Sequence, residues 1–222
     1  MDTKFLVDTP LFRGLPAAEL DAMLRCLRAR ERHYRKDAVI LRAGDTTREL
    51  GLVLSGSVRI ENNDLWGNTS VLDLIGPGLA FAETYACLPR EPMMVSAVAA
   101  APTDILFLSV ERILEPGEDA CTHHAALIRN LLAITAQKNL TLSRRIFHTS
   151  SKRIRDRLVS YLSFEAARHG SSAFRIPFNR SQLADYLSVE RSALSNELGK
   201  MRREGLLETD RSYFSLKRLP ND

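Results

Sequence analysis

The pattern of apolar and polar positions changes character three times along the chain. From Phe5 to about Leu27 apolar residues recur at helical spacing. Leu11-Phe12 followed by Leu15-Pro16-Ala17-Ala18-Glu19-Leu20 predicts a short turn and then a helix opening near Pro16. Between Arg32 and Val110 the texture becomes short apolar runs, at 38–41, 50–54, 57–60, 70–75 and 104–108. Turn formers separate them: Ala43-Gly44-Asp45, Ser55-Gly56, Asn62-Asn63-Asp64 and Gly76-Pro77-Gly78. Strands at that spacing with Gly-rich turns predict a β-sandwich or barrel, which Pro116-Gly117 closes.

A long helix is expected from Asp119 to about Phe147, because neither Pro nor Gly occurs between Glu118 and His169. Leu127, Leu131 and Ile134 follow i, i+4, i+7 spacing, and Ile128, Leu132 and Thr135 make a second, adjacent track. About 28 residues span about 40 Å, more than a small barrel covers. The expectation is therefore that the stripe of Leu127, Leu131 and Ile134 pairs with a second copy, as in a coiled coil. The alternative is that it packs on its own β-domain. His148-Thr149-Ser150-Ser151 reads as a polar hinge.

Beyond it, Ile154, Leu158, Tyr161, Leu162 and Phe164 mark another amphipathic helix, which Gly170-Ser171-Ser172 stops. Pro177 biases Ile176 away from helix. Asn179 is then placed to cap a short helix through Leu187. Ser188-Val189 predicts a turn, and residues 190–203 a second helix. Leu183, Ala184, Leu187, Val189, Leu194, Leu198 and Met201 tie the two helices together. This leaves Glu190, Arg191, Ser192, Ser195 and Asn196 facing outward. Arg forks onto guanine, Asn pairs with adenine and Glu accepts from cytosine, so these types suit base edges. Leu206–Thr209 and Tyr213–Leu216 complete a winged helix-turn-helix with a hairpin wing.

Charge sharpens this reading. Residues 143–222 hold 16 basic and 9 acidic side chains, a net +7, whereas residues 1–142 carry 15 basic and 18 acidic, a net −3. A basic C-terminal third attracts polyanions, of which nucleic acid is the commonest. The 45% hydrophobic and 26% charged composition suits a folded core rather than a disordered chain. No apolar run reaches the roughly 18–20 residues of a spanning helix, and no secretory leader is visible, so no membrane partner is expected. Cys26, Cys87 and Cys121 lie too far apart for a disulfide framework, which points to a reducing cytoplasm.

The order of parts resembles the Crp/Fnr family of bacterial transcription regulators across nearly the whole length. Two stretches carry the resemblance: Glu49-Leu50-Gly51-Leu52-Val53-Leu54-Ser55-Gly56-Ser57-Val58-Arg59-Ile60, and Asn179-Arg180-Ser181-Gln182-Leu183-Ala184 through Arg191-Ser192-Ala193-Leu194-Ser195. The resemblance implies an α+β chain of three parts. These are a cyclic-nucleotide-binding-like β-barrel or jelly roll (1–118), a dimerisation helix and hinge (119–149), and a winged helix-turn-helix (150–222). It implies a homodimer on a palindromic duplex operator, RNA polymerase as a further partner, and an effector pocket between barrel and helix. Glu190, Arg191, Ser192, Ser195 and Asn196 match the family's base-reading region. Asn179 and Arg180 match its backbone-contacting helix start, and Ser181 beside them is a further expected DNA-binding residue.

The departures concern the effector. Cyclic-nucleotide members have a Gly-Glu-Leu segment and then an Arg-Ser pair that grips the phosphate. Here Ala82 replaces the glycine before Glu83, and Met93-Met94 stand where the Arg-Ser pair belongs. A cyclic phosphate needs a cation or clustered donors, so cyclic AMP is not the expected effector. Phe81, Met93, Met94, Leu131 and Ile134 would instead line an apolar pocket, with Glu83, Lys138 and Asn139 reaching the ligand. Asn139 could equally set the register of a coiled-coil seam. An iron–sulfur cluster needs about four thiolates and is excluded. Haem remains an alternative through Cys87, Met93, Met94, His123 and His124, although the methionines read equally as pocket filler and the histidines as the opening of an exposed helix. A metal-dependent cupin-type enzyme would need several His/Glu ligands, and the barrel offers only His33, ahead of its first clear strand. No nucleotide-binding or nucleophile-elbow motif appears, so no enzymatic activity is expected.

Overall fold

A strand covered on both faces need not alternate apolar with polar residues, and the run at 104–108 is such a strand. The computed structural model describes residues 3–63, 66, 69–115 and 124–217. Within them the chain runs α1 (Thr3–Val7), a 3-10 turn (Ala17–Glu19), α2 (Leu20–Cys26), β1 (Arg30–Tyr34), β2 (Val39–Leu41), β3 (Glu49–Ser55), β4 (Val58–Asn63) and β5 (Thr69–Ile75). Then follow β6 (Ala80–Phe81), α3 (Glu83–Cys87), β7 (Ser96–Ala99), β8 (Thr103–Ser109), α4 (Val110–Leu114) and α5 (His124–Thr149). The rest is α6 (Ile154–His169), β9 (Ala173–Arg175), α7 (Arg180–Tyr186), α8 (Arg191–Arg203), β10 (Leu207–Asp210) and β11 (Tyr213–Leu216).

The first unit, residues 1–137, holds two antiparallel sheets, ordered β1-β8-β3-β6 and β2-β7-β4-β5. They make an open jelly-roll sandwich rather than a closed barrel. In β8, Ile105 and Phe107 join the core between the sheets with Val53, Val58, Ile75, Phe81 and Ala97. Leu106 and Leu108 join a second core, formed with Leu6, Leu11, Phe12, Leu20, Met23 and Leu27. That alternation explains why β8 reads as an unbroken apolar run.

The second core also receives Leu127 and Leu131, with Ile134 packed at its edge. This corrects the expected dimerisation stripe. Leu127 and Leu131 are buried beneath the N-terminal helices of their own chain, so these two leucines are not presented to a second copy, and Ile134 is only partly buried. Burial of each leucine contributes roughly 1.5–3 kcal/mol. His124 Nε2 lies 2.7 Å from the Arg112 carbonyl oxygen, and the Asn130 amide donates to the carbonyls of Leu11 and Arg13, 2.9 Å each. On the second track Ile128 also packs against this core and Thr135 is half-buried, while Leu132 is left toward solvent.

Several expectations shift in detail. Asn62 and Asn63 extend β4 instead of forming a turn, paired to Ser70 and Thr69, and Asp64 lies outside the described residues. The hydrophobic pattern does not predict β1, β6, β7, α3 or α4. Arg-Glu-Arg-His in β1 carries no apolar signal, and the others are short or built of small residues. His33 lies within β1, not ahead of it, and its Nδ1 is 2.7 Å from an Asp104 carboxylate oxygen. The expected start of the long helix at Asp119, with Pro116-Gly117, Cys121 and His123, lies outside the described residues. α5 runs on through Thr149, so His148 and Thr149 form its last turn and the break falls at residues 150–153. The two compact units divide between Gln137 and Lys138, within α5.

Candidate functional site

The second unit, residues 138–222, builds a helix-turn-helix from local rules. Asn179 Oδ1 accepts from the Gln182 backbone N–H at 2.9 Å, and Gln182 Oε1 accepts from that of Asn179 at 2.9 Å. This reciprocal cap starts α7. Ser188 takes a left-handed backbone conformation with φ 53°, while the amides of Ser188 and Val189 donate to Asp185 and Ala184 and close the turn. Glu190 then caps α8, its carboxylate accepting from the Ala193 amide at 3.1 Å and from the Ser192 hydroxyl. The Ser192 hydroxyl, and then the backbone amides, hold this carboxyl below the usual range.

Leu183, Ala184, Leu187, Leu194, Leu198 and Met201 are buried between the helices and the wing. The 3.6-residue period therefore turns Arg191, Ser192, Ser195 and Asn196 outward, all exposed. Arg155 fixes α8 from behind. Its Nε donates to Glu197 at 2.6 Å, and its two terminal nitrogens fork onto Glu204 at 2.7 and 2.8 Å.

The wing is a three-stranded antiparallel sheet ordered β10-β11-β9, with Phe214 opposite Phe174. Arg180 is tied into it. Its guanidinium donates to Thr209 Oγ1 and lies 5.0 Å from the centre of the Phe214 ring, and burial pushes its pKa down. Asn179 and Ser181 are exposed at the start of α7. A groove of about 490 Å³ runs between that helix start and the hairpin tip, bordered by Asn179, Arg180, Gln182, Arg211 and Ser212. Sequence reasoning missed Arg211. The available signal was a cation in the Asp210-Arg211-Ser212 turn between two strands, where φ is 49°.

The expected effector residues of the first unit are not gathered around one cavity. The Phe81 ring fills the core between the sheets, so close over Gly51 that a Cβ there would lie 2.4 Å from it. Leu131 and Ile134 belong to the other core. Met93 is buried, with its backbone paired to Gly44 and Asp45, but the Met94 side chain is 76% exposed. Glu83 is buried at the first turn of α3, behind Ala82, whose φ is 60°. Lys138 and Asn139 lie at the start of the second unit, and Asn139 Oδ1 accepts from the Ser143 hydroxyl at 3.1 Å. Within one protomer Leu131 and Ile134, expected beside the effector, pack against the N-terminal helices.

Comparison with known proteins bears on the whole arrangement. The model of the cyclic nucleotide-binding domain matches residues 31–115, and that of the Crp-like helix-turn-helix domain matches residues 156–220. The cyclic AMP receptor protein of Thermus thermophilus is 31% identical over 194 residues, which cover 87% of this chain and 81% of that protein. The chain belongs to the Crp/Fnr family. It is accordingly a transcription regulator of Crp/Fnr type, with an effector-binding domain and a helix-turn-helix DNA-binding domain. The crystal structure of the Thermus thermophilus catabolite activator protein is 28% identical, covers 94% of each chain and superposes with a TM-score of 0.52. CprK complexed with OCPA is 14% identical, covers 89% of this chain and 90% of that one, and has a TM-score of 0.62, a likeness of fold.

Against the Crp/Fnr pattern, the residues for a cyclic phosphate do not fit. At the phosphate-gripping positions stand a buried thioether, Met93, and an outward one, Met94. The donors considered for haem are placed as follows. His124 Nε2 is engaged by the Arg112 carbonyl, Met94 points outward, burial and then Glu83 push the Cys87 thiol up, and His123 lies outside the described residues. Among the described residues, no group of three or more His, Cys, Asp or Glu is placed to hold a metal ion, and no helix is long and apolar enough to cross a membrane.

Proposed function

We propose that this Crp/Fnr regulator works in the cytoplasm as a homodimer on a two-fold operator in duplex DNA, recruits RNA polymerase there, and answers to an apolar or aromatic effector rather than cyclic AMP. The observation that carries the DNA reading is the outward quartet Arg191, Ser192, Ser195 and Asn196 on a helix fixed by its cap, its core and the Arg155 fork. Base-reading types stand free of any packing duty, beside the exposed start of α7 and the wing tip.

Arg191→Ala is expected to weaken binding to a selected palindromic duplex by about 1–3 kcal/mol while nearly preserving affinity for unrelated duplexes. Fluorescence anisotropy across a salt series checks this, since phosphate contacts alone give a steep salt slope with no preference. Undiminished discrimination in the variant would contradict the assignment.

The dimer reading rests on a track along α5 that is exposed at Leu132, Asn139, Leu142 and Ile146. Ile128, Leu132, Thr135, Asn139, Leu142 and Ile146 succeed one another in alternating steps of four and three, the spacing of a coiled-coil seam. Leu132, Leu142 and Ile146 are each more than 60% exposed in one protomer. A central Asn139 suits the register-setting role that a lone polar seam residue plays.

The effector reading rests on Met93 and Met94, which offer no charge to a phosphate. Millimolar cyclic AMP is expected to leave the melting temperature of the full chain unchanged, because a ligand that does not bind the native state cannot stabilise it. A dose-dependent rise in calorimetry would overturn that half of the proposal.

A further inference from the structure

The end of α5 does not run free of the DNA-reading unit. Arg145, in its second turn from the end, donates from Nη2 to the Asp185 carbonyl at 3.0 Å and from Nε to that of Tyr186 at 3.2 Å. Arg157, in the first turn of α6, donates from Nη1 to the carbonyls of Leu187 at 2.9 Å and Ser188 at 3.0 Å. Four consecutive carbonyls, two at the end of α7 and two in the turn beyond it, thus accept from two guanidinium groups, that of Asp185 in addition to the Ser188 amide. A helix end leaves such carbonyls without intrahelical partners and carries partial negative charge, so cations fit there.

The break itself is stapled. Arg157 Nε donates to the Ser151 carbonyl at 2.6 Å, and the Ser151 hydroxyl donates to Asp156 at 2.9 Å. His148 is buried against the rings of Tyr161, Phe164 and Tyr186, with Nδ1 3.1 Å from the Ser160 hydroxyl. The Arg144 guanidinium lies 5.3 Å from the centre of the Phe164 ring.

We infer that the last three turns of α5 are a working part of the DNA-reading unit, and that Arg145 and Arg157 are positioning residues that set the helix-turn-helix through the carbonyls of residues 185–188. This replaces the expected hinge at 148–151 with a locked elbow, and it rests on the DNA reading proposed above. A change of state that moves the reading helix carries the segment from Lys138 to Thr149 with it.

The test uses the full-length protein and the variants Arg145→Gln, Arg157→Gln, their combination, and Arg157→Lys. Hydrogen exchange without DNA is expected to show the Ser188 and Val189 amides exchanging at least about 10-fold faster in the double variant, with the core amides of α6 and α8 unchanged. Discrimination between a selected and a scrambled duplex is expected to fall at least about 10-fold in parallel, with partial recovery in Arg157→Lys. Arg168→Gln, which removes an ion pair to Glu165 on the same helix, should change neither readout. Wild-type exchange at Ser188 and Val189 in the double variant, or unchanged discrimination, would overturn the inference. If wild-type protein itself shows no duplex preference, the DNA reading fails, and the exchange measurement still decides the lock.

Discussion

Replacing Leu132 and Leu142 together by Asp is expected to turn the protein into a monomer and to lower affinity for a palindromic duplex at least about 100-fold, since a second linked contact typically multiplies affinity by 10²–10⁴. The reason lies in how α5 divides its apolar residues. Leu127 and Leu131 are consumed within the chain's own core, whereas Leu132 and Leu142 are 66% and 63% exposed. Aspartate at the exposed pair therefore leaves the folded protomer intact but sets like charges against each other across a seam. The same change at Leu131 would unfold the first unit and teach nothing about association. Sedimentation equilibrium reports the mass, and titration of whole and half sites reports the coupling. A double variant that remains a dimer would place the interface elsewhere.

The largest effect on stability is expected at Gly56, in the turn between β3 and β4. Its φ is 74°, a region costly by roughly 1–2 kcal/mol for a residue with a Cβ. An added Cβ would lie 2.2 Å from the Pro102 carbonyl oxygen and 2.6 Å from Thr103 Oγ1. That hydroxyl cannot retreat without cost, because its one proton lies between the carbonyls of Ala101 at 2.7 Å and Ser57 at 3.0 Å and its oxygen accepts from the Ser57 amide. Strain and overpacking together put Gly56→Ala at about 3 kcal/mol or more. The loss should fall on the first unit alone, since the winged-helix unit has its own core from Leu158 to Phe214. Calorimetry should show one transition moved down and one retained. A single unmoved transition would mean that the turn relaxes around the methyl group.

Much of the reading end was legible because its rules are local. Asn179 announces a cap, Gly170 a left-handed helix stop, and Pro177 an extended approach, and each acts as its chemistry dictates. The first unit was legible where strands alternate or run apolar, and silent at β1, whose Arg-Glu-Arg-His surface needs only β8 beside it to pair. The long helix shows where periodicity stops short. Two adjacent tracks fit helical spacing equally well, and only the location of Leu11, Phe12 and the α2 leucines decides which one is buried. The arginines were hardest to read. Nothing near Arg180 in the sequence tells that Thr209 and Phe214 will hold its guanidinium, or that Arg145 and Arg157 will converge on one helix end.

The outward face of α8 divides labour unevenly. Arg191, Ser195 and Asn196 contribute nothing to the core or to the cap, so, on the DNA reading proposed above, exchanges there are free to change operator preference while the fold stays indifferent. Glu190 lacks that freedom, because its carboxylate also starts the helix, and losing such a cap costs typically about 1 kcal/mol. Divergence of operator preference should therefore run through these three unencumbered positions and spare Glu190 and Ser192, whose side chains make the cap.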